Sequence, residues 1–278
     1  MTKVALLALL LVVAGQRDLV LGQVNTGSRP VAIDQKIQRL IEKAELESRA
    51  DTTFVADFKA AMDDSNPDVR ANALAIIPVA TTGVANNGSA RSQARSVELA
   101  LSLRPFALSA ASEVDGAVRR QALIALSTLD AMASATAKHR AETLGIAGRA
   151  FNSDPEELVR ATAFRMLVRD VSTRSSAWSL IEQALKDPSP SVRSDAYQAM
   201  ARAPNPNAIP YLLRALSDET DPFGRVSAAG ALAPFVPGDP SLIEAVEQRA
   251  RVESNDYVKE QLLSIANQLR RLVKQPEF

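Results

Sequence analysis

Residues 187–200 read Asp187-Pro188-Ser189-Pro190-Ser191-Val192-Arg193-Ser194-Asp195-Ala196-Tyr197-Gln198-Ala199-Met200. A short polar residue followed by proline is a helix start: Ser189 satisfies N–H groups that the first turn leaves unpaired, and Pro190 at the first helical position gives up no hydrogen bond. Counting from Val192, the residues Val192, Ala196, Ala199 and Met200 fall at offsets 0, 4, 7 and 8, which is one face of an α-helix. The stretch predicts an amphipathic helix with a fixed beginning and a small residue on its buried stripe.

The same grammar returns along the chain. Taking the basic residue after offset 0 as an anchor, it falls at Arg70, Arg119, Arg160, Arg193, Arg225 and Lys259, with steps of 49, 41, 33, 32 and 34 residues. The last three steps are the size of one helix pair, so six units are expected. The other stripes are Val69, Ala73, Ile76, Ile77; Val118, Ala122, Ala125, Leu126; Val159, Ala163, Met166, Leu167; Gly224, Ala228, Ala231, Leu232; and Val258, Leu262, Ile265, Ala266. Offset 4 is Ala in five of the six units, which suits close approach of neighbouring helices. Asn66-Pro67, Asp154-Pro155 and Asp221-Pro222 read as further cap-and-proline starts, and Asp115 and Asn255 cap the remaining two.

Each of these second helices needs a first helix before it. Those are expected over 53–62, 94–108, 137–151, 177–185, 207–216 and 241–252, with an extra leading helix over Ile33 to Ser48 covering the open face of the first unit. The segment Thr81 to Ala90 lacks the spacing of any phosphate-binding loop. It reads as a loop that accounts for the long first step. Asn87-Gly88-Ser89 matches a glycosylation acceptor, a triplet that arises often by chance.

The run from Asp187 to Arg193, with Ala196, Ala199 and Met200 behind it, resembles the HEAT-repeat signature, in particular the short bacterial repeats described as PBS-lyase-like. The resemblance spans about residues 53 to 274 and implies an all-α solenoid, a right-handed superhelix of antiparallel helix pairs with about six repeats. It says little about function, because such stacks serve as scaffolds, adaptors, chromophore-lyase subunits and occasionally enzymes. An acidic residue stands six before every anchor: Asp64, Glu113, Asp154, Asp187, Glu219 and Glu253. One acid and one base per repeat describe a repeated joint, an ion-pair ladder within or between units, and not a unique metal or substrate site.

Composition agrees with helix: 46% of residues are hydrophobic and only 4% aromatic, with little of the β-branched and aromatic enrichment of strands. Lys plus Arg and Asp plus Glu are both 32, so the chain lacks the basic excess of a general nucleic-acid binder. It has no cysteine, which excludes disulfides, thiol nucleophiles and cysteine-ligated zinc. At the N-terminus Lys3 precedes an apolar run from Val4 to Gly15. Twelve helical residues reach about 18 Å, short of the ~30 Å hydrocarbon core, so the run reads as a signal-peptide core and not a stable membrane span. The expected organisation is a signal peptide over 1–22, with cleavage after Gly15 or Gly22, a tail and capping helix over 23–52, and the repeat array over 53–278. Export to a periplasmic or secreted location follows.

Chemistry is sparse. His139 is the sole histidine, so metal sites and Ser-His-Asp arrangements lack their usual donors. No residue is assigned to catalysis, a cofactor or a metal. Arg165 and Arg169 stand one turn apart with Arg174 soon after, a cluster suited to docking an acidic segment of a partner. Trp178, the sole tryptophan, suits the core or an edge contact. The expected function is a non-catalytic, monomeric scaffold or adaptor for a protein or peptide, with a chromophore-lyase-like or other modifying-enzyme subunit as the alternative. A nucleic-acid enzyme would need a basic groove and stacking aromatics that this sequence lacks.

Overall fold

A computed structural model describes residues 35–42, 53–85, 90–132, 135–170, 174–202 and 204–274. Every regular element among them is helical. The order is α1 (35–42), α2 (Phe54–Met62), α3 (Pro67–Ala85), α4 (Ala90–Ala110), α5 (Gly116–Asp130), α6 (Ala137–Ser153), α7 (Glu157–Asp170), α8 (Arg174–Ala184), α9 (Pro190–Arg202), α10 (Ala208–Asp218), α11 (Pro222–Ala231), α12 (Ser241–Val252) and α13 (Asp256–Lys274). Six first helices and six second helices follow the leading helix, which makes the chain an all-α solenoid of helix pairs. The expected signal segment, the tail before residue 35 and the Asn87 to Ser89 triplet lie outside the described residues. No described helix is long and apolar enough to cross a membrane.

The chain divides into two compact units, Met1–Thr143 and Leu144–Phe278. In the first, the second helices α3 and α5 pack side by side, with α2 and α4 against them. Phe58 of α2 meets Phe106 of α4 edge-on at 5.6 Å. The leading helix buries Ile37 and Leu40, and its Lys36 reaches Asp64, the acid of the first repeat, at 2.5 Å. In the second unit the second helices α7, α9, α11 and α13 pack in sequence, and α8, α10 and α12 lie against them.

The stripe of small residues makes this layering feasible. Ala73, Ala122, Ala163, Ala196 and Ala228 are all at 0% exposure, so five of the six second helices bury only a methyl group at this offset. Most of the predicted stripe is buried, but Leu167 and Ile265 are only half-buried. In α7 the aromatic ring of Phe164 takes the interior place instead, at 0% exposure and 5.5 Å from Phe151.

Two expectations need correction. The helices α3 and α4 run to 19 and 21 residues, so much of Thr81 to Ala90 is helical and the long first step is taken up by longer helices. Thr81 explains the extension: it is buried, its hydroxyl donates to the Ile77 carbonyl at 2.8 Å, and its own carbonyl accepts from Ser96. In the third unit Asp154-Pro155 does not start the helix, which begins at Glu157. The caps of the other units stand four residues before their anchors: Asp115 accepts from Ala117 and Val118, Asp221 from Gly224, and Asn255 from Val258. In the third unit that place is Glu156, and Asp154 is the ladder acid two residues earlier.

The packing predicts that Ala196→Leu, which forces three extra carbons into a sealed helix–helix contact, lowers stability by about 1–3 kcal/mol. A urea unfolding midpoint unchanged by this substitution would contradict the role given to offset 4.

Candidate functional site

The repeated acid and the repeated arginine build one joint. In the second unit Arg160 reaches Asp187 through Nε and Nη2, both at 2.8 Å. Arg193 holds Glu219 in the same fork at 2.8 and 2.5 Å, and Arg225 holds Glu253 at 2.8 and 2.9 Å. In the first unit Arg70 grips Glu113, with Nη2 at 2.7 Å from Oε2. The side-chain pair thus runs from each of these anchors to the acid of the following repeat. The remaining nitrogen, Nη1, donates backward to the backbone of its own repeat: Arg160 to the Asp154 carbonyl, Arg193 to Asp187, Arg225 to Glu219, Arg119 to Glu113 and Arg70 to Asp64. Five of the acids in turn accept the backbone N–H two residues on: Asp64 from Asn66, Asp154 from Glu156, Asp187 from Ser189, Glu219 from Asp221 and Glu253 from Asn255.

Electrostatics follow this geometry. The hydrogen bond from Arg193 holds the Glu219 carboxyl down at about 2 against the pull of burial, helped by the Asp221 N–H and the Tyr197 hydroxyl. Burial works to raise Asp187 and Glu253, yet both sit below the usual carboxylate range because their arginine and backbone donors outweigh it. The ladder acids are matched structural charges.

The rung at Glu219 differs from the others in one side chain. Four residues after the anchor the repeats carry Leu74, Leu123, Phe164, Tyr197, Ala229 and Leu263, and only Tyr197 brings a hydroxyl. It donates to Glu219 at 2.8 Å, and burial followed by that bond pushes its phenol well above the ordinary range. Glu219 is so firmly placed that a β-carbon on Gly224 would stand 2.7 Å from its Cγ. That crowding accounts for glycine at offset 0 in this repeat.

A groove of about 620 Å³ opens above this rung between the first helices α8 and α10. Its walls include Glu182, Lys186, Arg193, Tyr211, Asp218 and Glu219. Tyr211 of α10 meets Trp178 of α8 ring to ring at 5.5 Å and 79°. Both donate to one oxygen of Glu182, at 3.0 Å from the indole and 3.2 Å from the phenol. Trp178 is half-buried and Tyr211 is 40% exposed, so the tryptophan is an edge residue and not a core one.

Of the three candidate arginines, Arg165 and Arg169 have described side chains. Arg165, on α7, turns to Asp195 of α9 at 2.5 Å and to Thr162 at 3.0 Å, leaving its side chain 40% exposed. Glu157, at the start of the same helix, accepts from the Ser189 hydroxyl. Arg169 is exposed near the end of α7, and Arg174 opens α8 with its side chain outside the described residues. His139 is taken up locally: its Nδ1 accepts from the Thr136 N–H, and its own N–H donates to the Thr136 hydroxyl, closing the start of α6.

Sequence reasoning missed Arg104, a buried arginine of the first unit. It pairs with Asp130 at 2.5 Å and also donates to the His139 carbonyl and the Thr143 hydroxyl. It lies off the repeat register, so no period marks it. Among the described residues no group of three or more His, Asp or Glu side chains is placed to hold a metal ion.

Comparison with known proteins bears on the fold. Residues 177–266 match the family described as HEAT repeats. A solved structure described as an engineered protein, Northeast Structural Genomics Consortium target OR329, is similar over 78% of this chain and 97% of that one. Its sequence identity is 16% and its TM-score 0.41. No curated protein matches the chain.

Glu219 makes the joint testable by pH. A carboxyl lowered from 4.5 to about 2 contributes stability that is complete above 4.5 and is lost as pH falls through 2, because the unfolded chain binds the proton first. The contribution is on the order of 3 kcal/mol. Glu219→Gln is expected to destabilise at pH 7 and to flatten the acid limb of a stability-against-pH curve between 4.5 and 2; a limb as steep as that of the parent refutes the joint. Gly224→Ala, which displaces the Glu219 side chain, lowers the thermal midpoint by several degrees, equivalent to about 1–2 kcal/mol.

Proposed function

We propose that this chain is a non-catalytic repeat scaffold that holds a protein partner in an exported compartment. The observation that carries the reading is the contrast between the joints and the groove. The repeated ladder charges are consumed in forks and backbone bonds, whereas the groove between α8 and α10 presents exposed aromatic and charged side chains on rigid helices. Such a surface is suited to recognition, since aromatic side chains supply contact area at low entropic cost. The proposal includes Arg165, Arg169 and Arg174 as contributors to a partner-binding face, with Arg165 acting while it remains tied to Asp195.

Export is the part of the proposal that rests on the sequence of residues 1–22. Its consequence is a mature chain lacking the first 15 or 22 residues, read directly by intact-mass measurement of the protein recovered from the exported fraction.

The partner reading is tested by capture. The mature chain as bait is expected to retain a stoichiometric protein from the exported fraction, and the folded Arg165→Glu, Arg169→Glu, Arg174→Glu triple variant to retain at least tenfold less. Equal retention removes the arginine face from the interface. Failure of the parent chain to hold anything, or turnover of a substrate that is lost on mutating one cluster, overturns the scaffold reading.

A further inference from the structure

Glu182 and Trp178 lie one turn apart on α8, so the indole N–H reaches the carboxylate within the helix, and Tyr211 of α10 donates to the same oxygen from across the groove. The two rings meet near a right angle, giving a corner of aromatic walls with a carboxylate fixed to their polar edges. The other carboxylates of the groove are already matched, Asp218 by Arg214 and Glu219 by Arg193. Among the described residues Glu182 forms no ion pair. Two donors alone do not require a charge there, since a neutral glutamine oxygen accepts them equally well. A charged group between two ring systems concentrates negative potential where Tyr211 remains open to solvent.

We infer that the corner of Trp178, Tyr211 and Glu182 is a binding site for an arginine side chain presented by a partner protein. This deepens the scaffold reading and rests on it for the source of the arginine. The guanidinium plane lies on an aromatic wall while its N–H groups reach the unused oxygen of Glu182. Lys186, which also lines the groove, disfavours a second cation beyond the corner and so fixes where along a segment the arginine sits.

The chain has one tryptophan beside three tyrosines, so emission from the selectively excited indole reads this corner alone. N-acetyl-argininamide is titrated into the full chain at constant ionic strength, beside the uncharged isostere N-acetyl-citrullinamide. The expected result is a saturable change in Trp178 emission with a Kd on the order of 1–10 mM, at least fivefold weaker for citrullinamide. Glu182→Gln keeps both hydrogen-bond acceptors and removes the charge; it is expected to weaken argininamide binding at least fivefold with an unchanged circular dichroism spectrum. If that variant does not fold, Tyr211→Leu, which removes one wall, carries the comparison. No saturable change with argininamide, equal binding of citrullinamide, or full binding by the folded variant overturns the inference. The titration needs no partner, so its failure leaves the scaffold reading standing, while argininamide binding without any captured protein overturns that reading and leaves the cation site.

Discussion

The fork between an anchor arginine and the acid of the next repeat is the constraint on which the rest of the architecture depends. Apolar burial holds one helix against another but is non-directional, and a smooth stripe of alanine methyl groups tolerates sliding. Arg193 removes that freedom. Two of its nitrogens grip Glu219 while the third is bound to the carbonyls of Asp187 and Pro188, so one side chain fixes the positions of two successive loops. Neither charge is left unpaired, which is the condition under which a partly buried pair can be held without a large desolvation penalty.

The joint also dictates composition nearby. Alanine at offset 4 lets helices approach until the fork can close, and glycine at position 224 makes room for the Glu219 side chain. Where the leading helix covers the first repeat, Lys36 meets Asp64, so a cation reaches the acid that has no preceding anchor. Each of these residues makes sense in relation to the rung it serves, more than through its own helix propensity.

Much of this was legible before any coordinates. The anchors recur six times, and the alanine at offset 4 and the short polar caps before the second helices five times each, and repetition turns weak local signals into a strong one. Errors arose where the grammar slips. Pro155 mimics a helix start two residues out of register, and the Gly- and Asn-bearing stretch after Thr81 looks like a loop although its first part stays helical, because Thr81 satisfies its hydroxyl on the helix itself. Arg104 and the corner of Trp178, Glu182 and Tyr211 were invisible for a different reason. They join residues from separate helices at positions used once, and a method that reads periods passes over what occurs once.

That distinction separates structure from function in a repeat protein. A side chain required by the stack recurs with the stack, as the anchors and acids do. A side chain that binds something else has no reason to recur, and it stands out as a departure at its register position. Tyr197 is such a departure, a hydroxyl where the other repeats carry Leu, Phe or Ala, and it lies in the groove flanked by Tyr211. Arg165 departs in another way, off the anchor register yet paired to Asp195, whose carboxyl burial raises in opposition to the arginine's charge. Tyr197 strengthens a rung and Arg165 joins two second helices, so neither is purely structural or purely free. The corner at Glu182 goes further, because its carboxylate is held by two aromatic donors and forms no ion pair among the described residues.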